Sequence, residues 1–250
     1  KKIIRNVYEK FSLKDAQTIS DIELRGYKNI KATNHDFKAI EYFTKDKLGR
    51  TSLKDSLEWV HFALTSEDAS NIAYALMLSE SLRDVFLPTL TKTINAIGRL
   101  AIQNKNLPML ARTHGQPASP TTFGKEFKIF HTRLERQLGQ LKKYRPQAKL
   151  NGATGNYNAL IAAYPKINWI KFSEKFIAQI NKQRKNNLEA SFLTTQIESS
   201  DSYAELFDII RRVNTILIDF NHDVWRYISD DWIGQKMKEG EVGSSTMPHK

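Results

Sequence analysis

No cysteine occurs among the 250 residues, which excludes disulfides, thiolate metal sites and a cysteine nucleophile. With no thiol to oxidise, that absence leaves the redox compartment open. Long apolar runs are also missing. None approaches the roughly 18 to 20 residues of a spanning helix, so no membrane partner is expected. The opening residues, Lys1-Lys2-Ile3-Ile4-Arg5, lack a signal peptide's apolar stretch and cleavage site, and a soluble, cytoplasmic protein is the expectation. No Gly-Lys-Ser/Thr follows the glycine-rich stretch Asn151–Ala159, so it is not a Walker loop.

What is present is a hydrophobic content of 40%, enough to bury a sizeable core in one large domain or two smaller ones. The formal charge of +11 raises nucleic acid as a partner, since a basic surface attracts polyanions. Its basic residues, however, are scattered in short pieces such as Lys142-Lys143 and Lys182-Gln183-Arg184-Lys185. No aromatic-interleaved basic strand accompanies them. A small anionic substrate suits the same charge, and no nucleic-acid partner is expected.

Helical periodicity dominates the chain. Asp36 to Phe43 reads as an amphipathic helix with Asn34 or Asp36 as cap and His35 at its start. A second helical pattern covers Leu53–Leu64, and a long one runs from Ile72 to about Asn104 with a kink expected at Pro88. Between them, the hydroxyls and carboxylates of Thr65-Ser66-Glu67-Asp68 are placed to cap the long helix. Arg112-Thr113-His114-Gly115-Gln116-Pro117-Ala118-Ser119-Pro120 reads as an irregular connector that aims an imidazole. Phe123, Phe127, Phe130, Leu134, Leu138 and Leu141 then mark a helix with Ser119 as cap and Pro120 in its first turn.

A helix is expected at about 168–179, followed by an exposed polar loop at 181–187. Leu206, Ile210, Val213, Leu217, Phe220 and Val224 keep the spacing of a bundle seam. Continued to about Lys238, that helix would be about 55 Å long at 1.5 Å per residue. Three such helices with no clear strand pattern predict an all-α, long-helix bundle whose apolar faces call for intersubunit packing. The chain closes on Gly243-Ser244-Ser245-Thr246-Met247-Pro248-His249-Lys250, a loop in which glycine, hydroxyls, histidine and lysine concentrate acid/base and anion-binding groups.

Three separated stretches, 65–68, 112–117 and 243–250, resemble in sequence and order the fumarase/aspartase superfamily of lyases. Thr33-Asn34-His35-Asp36, the His114 form of the second stretch, Asn151–Asn158 and Thr194-Thr195-Gln196 look like its adenylosuccinate-cleaving branch. The resemblance covers nearly the whole chain. It implies a small helical N-terminal region, residues 1–54, and a central helical-bundle domain, residues 55–250. It also implies an N-terminal segment with a phosphate-binding arginine-tyrosine pair and a C-terminal helical domain outside these residues, so the chain is expected to be the central part of a longer enzyme.

The implied reaction is β-elimination of fumarate from succinylated purine nucleotides, with no metal and no cofactor. A base must take a proton beside a carboxylate, and an acid must protonate the departing nitrogen. By motif position Ser244 is the base and His114 the acid, with Ser245 the alternative base and His35 assisting His114. A serine needs its alkoxide stabilised to act so, by loop N–H groups and Lys250 in a site closed from water. The resemblance places Lys250 on a succinyl carboxylate and His61, Thr65, Ser66, Thr113, Gln116, Gln196, Ser245 and Met247 among the substrate contacts. Asp68 is expected to be a capping or supporting group. It further implies a homotetramer whose active sites are shared between subunits. The alternatives are another lyase of the superfamily acting on a different succinyl substrate, or a non-catalytic structural member.

Overall fold

A computed structural model describes residues 2–236, 239–240 and 244–246. It is predominantly helical, as the periodicity requires. The chain opens with α1 (Lys2–Glu9), α2 (Leu13–Leu24) and α3 (Asp36–Gly49). Ser12 caps α2 in a reciprocal capping box with Asp15, which supplies two of the partners that a helix start lacks. At α3 the cap is His35 itself, whose Nδ1 accepts from the Lys38 amide at 3.4 Å, rather than Asn34 or Asp36.

The helix expected at 53–64 is not regular. Only Lys54–Trp59 winds, as a 3₁₀ turn, and His61 and Ala63 then take left-handed backbone at φ 69° and 55°. Trp59 and Phe62 stay largely exposed, so the pattern has no continuous buried stripe to offset the cost of helix nucleation.

From Ser66 the chain is helical to Gln103, but in three parts: α4 (Ser66–Ser81), a π-helical segment (Leu82–Phe86) and α5 (Leu87–Gln103). The irregularity precedes Pro88 instead of falling on it. Proline lacks an N–H and its ring crowds the carbonyl four residues back; widening the turn relieves that crowding, and the Leu87 amide bonds Leu82 O.

The expected irregular connector is a β-hairpin, β1 (Pro108–Thr113) against β2 (Gln116–Thr122). Two prolines sit in β2, which is tolerable because a two-stranded ribbon has only edge strands. Thr122 therefore caps α6 (Phe123–Lys143), and Pro120 belongs to the strand, not the helix. After β3 (Gln147–Ala148) come α7 (Asn158–Ala163) and α8 (Trp169–Arg184). The latter is capped by Asn168 and runs on through much of the stretch expected as loop. Asn181 then closes the turn by bonding both the N–H and C=O of Leu188, and β4 (Glu189–Ala190) pairs in parallel with β3. The last helix, α9, spans Asp201–Ser229 and ends well before Lys238.

The chain divides into two compact units, one of residues 1–79 and 146–199, the other of 80–145 and 200–250. In the first, α2 packs on α3 through Ile22, Ala39 and Phe43, while Ile72 and Ala75 of α4 meet Ile177 of α8 with Ala148, Leu150 and Leu188. In the second, α6 packs against α5 and α9. All six residues of its predicted stripe are buried. Phe220 of α9 lies between Phe127 and Phe130, at 5.7 and 5.4 Å between ring centroids. Gly124 allows a close approach of α6 to α5, since a Cβ there would stand 2.3 Å from Ala101 O.

Candidate active site

Within the first unit, the loops that carry Thr65, Asn151 and Gln196 are tied together by one buried ion pair. Asp68, in the first turn of α4, and Lys149 are both fully buried, with Nζ 3.1 Å from Oδ1. Neither charge is left short of partners. The carboxylate also accepts from the amides of Thr65 (3.0 Å), Asn151 (3.0 Å) and Gly152 (3.2 Å). The ammonium donates to Gly152 O at 3.0 Å and Gln196 O at 2.6 Å. Asn71 grips Lys149 from the other side, bonding its N–H and C=O, and Asn151 donates to Thr194 Oγ1 at 2.8 Å.

A lysine so enclosed acts as an internal cross-link between three loops, much as a bound cation would, because its low-dielectric surroundings make each lost partner costly. Two expected substrate contacts meet on this frame: Gln196 Nε2 lies 3.4 Å from Thr65 Oγ1. Ser66 is half-buried as the first residue of α4. Asp68 thus fills the supporting role expected of it, and Lys149 and Asn71 were not foreseen.

The histidines of this unit both depend on α3. His35, as N-cap, lies 3.2 Å from Asp36 Oδ1 and its side chain is 54% exposed. His61 Nδ1 stands 3.1 Å from Glu41 Oε2, and its ring lies 5.8 Å from that of Phe37. Glu41 is buried and also pairs with Lys38 (2.8 Å) and Lys45 (3.0 Å). Burial alone would push its carboxyl up, but hydrogen bonds from Lys38, Lys45 and His61 together outweigh it and hold the pKa at about 2. Glu41 also escaped the sequence reading. The only signal was a carboxylate four residues after Phe37, on the face that α3 turns inward.

In the second unit, Thr113 pairs with Gln116, leaving His114 and Gly115 as the two turn residues, at φ 52° and 74°. Two successive positive φ values define the hairpin turn that matches strand twist. Gly115 supplies one without strain, and histidine is among the side chains that adopt the other most readily. Arg112 braces the turn by donating to Gly115 O at 3.2 Å. Thr113, His114 and Gln116 are all exposed, so three expected site residues come together on one solvent-facing turn. Ser244 is half-buried, with its Oγ accepting from the Thr246 amide at 3.3 Å, while Ser245 is exposed. Met247 and Lys250 lie outside the described residues.

Each unit thus carries imidazole, hydroxyl and amide groups on its connectors, side chains of the kinds that transfer protons and bind polar substrates. The family model described as Lyase matches residues 2–250, and the chain belongs to that lyase family. Among particular relatives, the adenylosuccinate lyase of Dictyostelium discoideum is 47% identical over 254 residues, covering 100% of this chain and 52% of that protein. The adenylosuccinate lyase of Escherichia coli (strain K12) is 48% identical over 241 residues, covering 96% and 50%.

The chain therefore spans about half the length of the curated relatives it matches. Among solved structures, 3-carboxy-cis,cis-muconate lactonizing enzyme from Pseudomonas putida shares the fold, with a TM-score of 0.70 at 22% identity over 97% of this chain and 50% of that one. Fumarate lyase from Mesorhizobium sp. BNC1 does so with a TM-score of 0.69 at 18% identity, over 90% and 48%.

Proposed function

We propose that the complete protein is a lyase that eliminates fumarate from adenylosuccinate to give AMP, and from succinylaminoimidazole carboxamide ribotide, in purine nucleotide synthesis. The observation that carries this reading is identity of 47–48% to adenylosuccinate lyases along essentially the whole chain. In the proposed reaction Ser244 removes the proton beside the succinyl carboxylate, the electron pair delocalises into that carboxylate, and the C–N bond breaks as His114 protonates the departing nitrogen. Lys250 holds the carboxylate that takes up the charge. His35 supports His114, and His61, Thr65, Ser66, Thr113, Gln116, Gln196, Ser245 and Met247 contact the nucleotide.

No cofactor is needed, because the carboxylate itself serves as electron sink. A homotetramer with active sites shared between subunits, a cytoplasmic location and a domain boundary near residue 54 belong to the same proposal. Support for assembly comes from α9, where Ile210, Leu217, Phe220 and Val224 are only half-buried within the chain. No helix among the described residues is long and apolar enough to cross a membrane.

Release of fumarate from adenylosuccinate by the complete protein, followed by absorbance, tests the activity; turnover of argininosuccinate instead would overturn the substrate. Ser244→Ala should abolish turnover with the oligomer intact. Retained activity would move the base to Ser245.

A further inference from the structure

The geometry points to Glu41 as a positioning residue that holds His61 with its proton on Nδ1, leaving Nε2 as an acceptor for an N–H or O–H of the substrate. The substrate half of this inference rests on the lyase reading above. The positioning half rests on the fold alone.

His61 sits on left-handed backbone, φ 69°, in a segment that returns to φ 55° at Ala63 just before Thr65. Non-glycine residues persist there only when their surroundings over-determine them. What over-determines His61 is α3. Its Nδ1 meets the Glu41 carboxylate at 3.1 Å, and the Phe37 ring packs beside it. A carboxylate oxygen only accepts, so Nδ1 must carry a proton.

Nε2 has the opposite character. It is shielded from solvent and has no hydrogen-bond partner in this structure. A buried ring nitrogen without a partner costs stability unless a ligand completes it, and such orphans call for a functional reason. The Nδ1 proton decides which kind of partner it awaits. The groups facing Glu41 are His61, Lys38 and Lys45, and Lys45 is itself 3.5 Å from Glu58. Two ammonium groups already compensate the Glu41 carboxylate. With the Nδ1 proton committed to Glu41, the neutral ring presents a lone pair on Nε2. The fitting ligand group is a donor: an amino or amide N–H, or a sugar hydroxyl.

Nitrogen-15 spectra of the complete protein with labelled histidine, assigned by loss of the signal in His61→Gln, read the tautomer directly. For neutral His61 we expect a protonated Nδ1 and an unprotonated Nε2. In Glu41→Gln, where the amide can also donate, a mixture of tautomers should appear, with KM for adenylosuccinate raised about tenfold and kcat changed much less. Glu41→Asp, keeping the carboxylate, should restore the Nδ1 proton.

A wild-type His61 protonated on Nε2 overturns the proposal, whether or not the variants fold. So does a Glu41→Gln protein with unchanged tautomer and KM. Absence of fumarate release from the wild type would instead overturn the lyase reading and the substrate half, while the tautomer still decides the positioning half.

Discussion

The loop junction around Asp68 and the hairpin turn at His114 each present expected site residues, by opposite physical means. At the junction, Thr65 and Gln196 are held by a fully buried lysine and aspartate whose hydrogen bonds reach into segments far apart in sequence. At the turn, Thr113, His114 and Gln116 are exposed, and two adjacent φ values with one arginine brace fix them. The first arrangement depends on the fold being complete. The second is local, so its chemistry and its stability are separable.

Removing one charge at the junction should expose this contrast most strongly. Asp68→Ala strands the Lys149 ammonium and is expected to cost about 3 to 5 kcal/mol, read from the urea midpoint of the complete protein. Amide exchange should accelerate at residues 149–152 and 194–196 together; acceleration confined to α4 would break the idea of a three-loop clamp.

Acid should act next, through Glu41. Its folded pKa of about 2 lies below the 4.5 usual for a glutamate, so the stabilisation is complete above pH 4.5 and is lost as pH falls toward 2. The expected loss is about 2 to 3 kcal/mol. Thermal melts from pH 5 to 2 should show Glu41→Gln declining less steeply than the wild type; parallel slopes would remove Glu41 as the source.

Gly155→Ala probes the same junction through backbone alone. The glycine sits at φ +76°, and a Cβ would stand 2.1 Å from Thr194 O, so we expect a loss of about 2 kcal/mol in calorimetry. The smallest stability effect belongs to the turn. His114→Asn gives the Asn-Gly pair preferred in such hairpins and should change stability by no more than about 0.5 kcal/mol. On the proposed reading, in which His114 is the general acid, fumarate release should nonetheless fall about 10²- to 10⁴-fold. A large stability change there would mean that the turn is not local after all.

Much of the helical scaffold was legible beforehand. Every member of the Phe123–Leu141 stripe is buried, because a helix that packs on two neighbours needs an apolar residue at each inward turn. The α9 stripe was only partly right. Leu206 and Val213 are buried, but Ile209 and Ile216 fill the inner face where Ile210 and Leu217 were expected. A face with period 3.6 drifts from a 3.5-residue seam, and the sequence offers isoleucine or leucine at both neighbouring positions. The hairpin escaped notice because its strands carry three prolines and no alternation, although His-Gly between two short runs was the available clue.

Motif order proposed hydroxyls and imidazoles as site residues but gave no sign of what holds Thr65, Gln196 and His61 in place. Glu41 and Lys149 lie in no motif that the sequence analysis singled out.

The sequence by itself determined where helices form, how their apolar stripes run and which connectors bear reactive side chains, since capping, periodicity and turn preference act over a few residues. Only the tertiary structure decided that Lys149 and Asp68 would meet away from water and that Glu41 would claim one nitrogen of His61. A buried charge acquires its partners when distant segments exclude solvent around it, and that desolvation is a property of the packed chain rather than of any stretch within it.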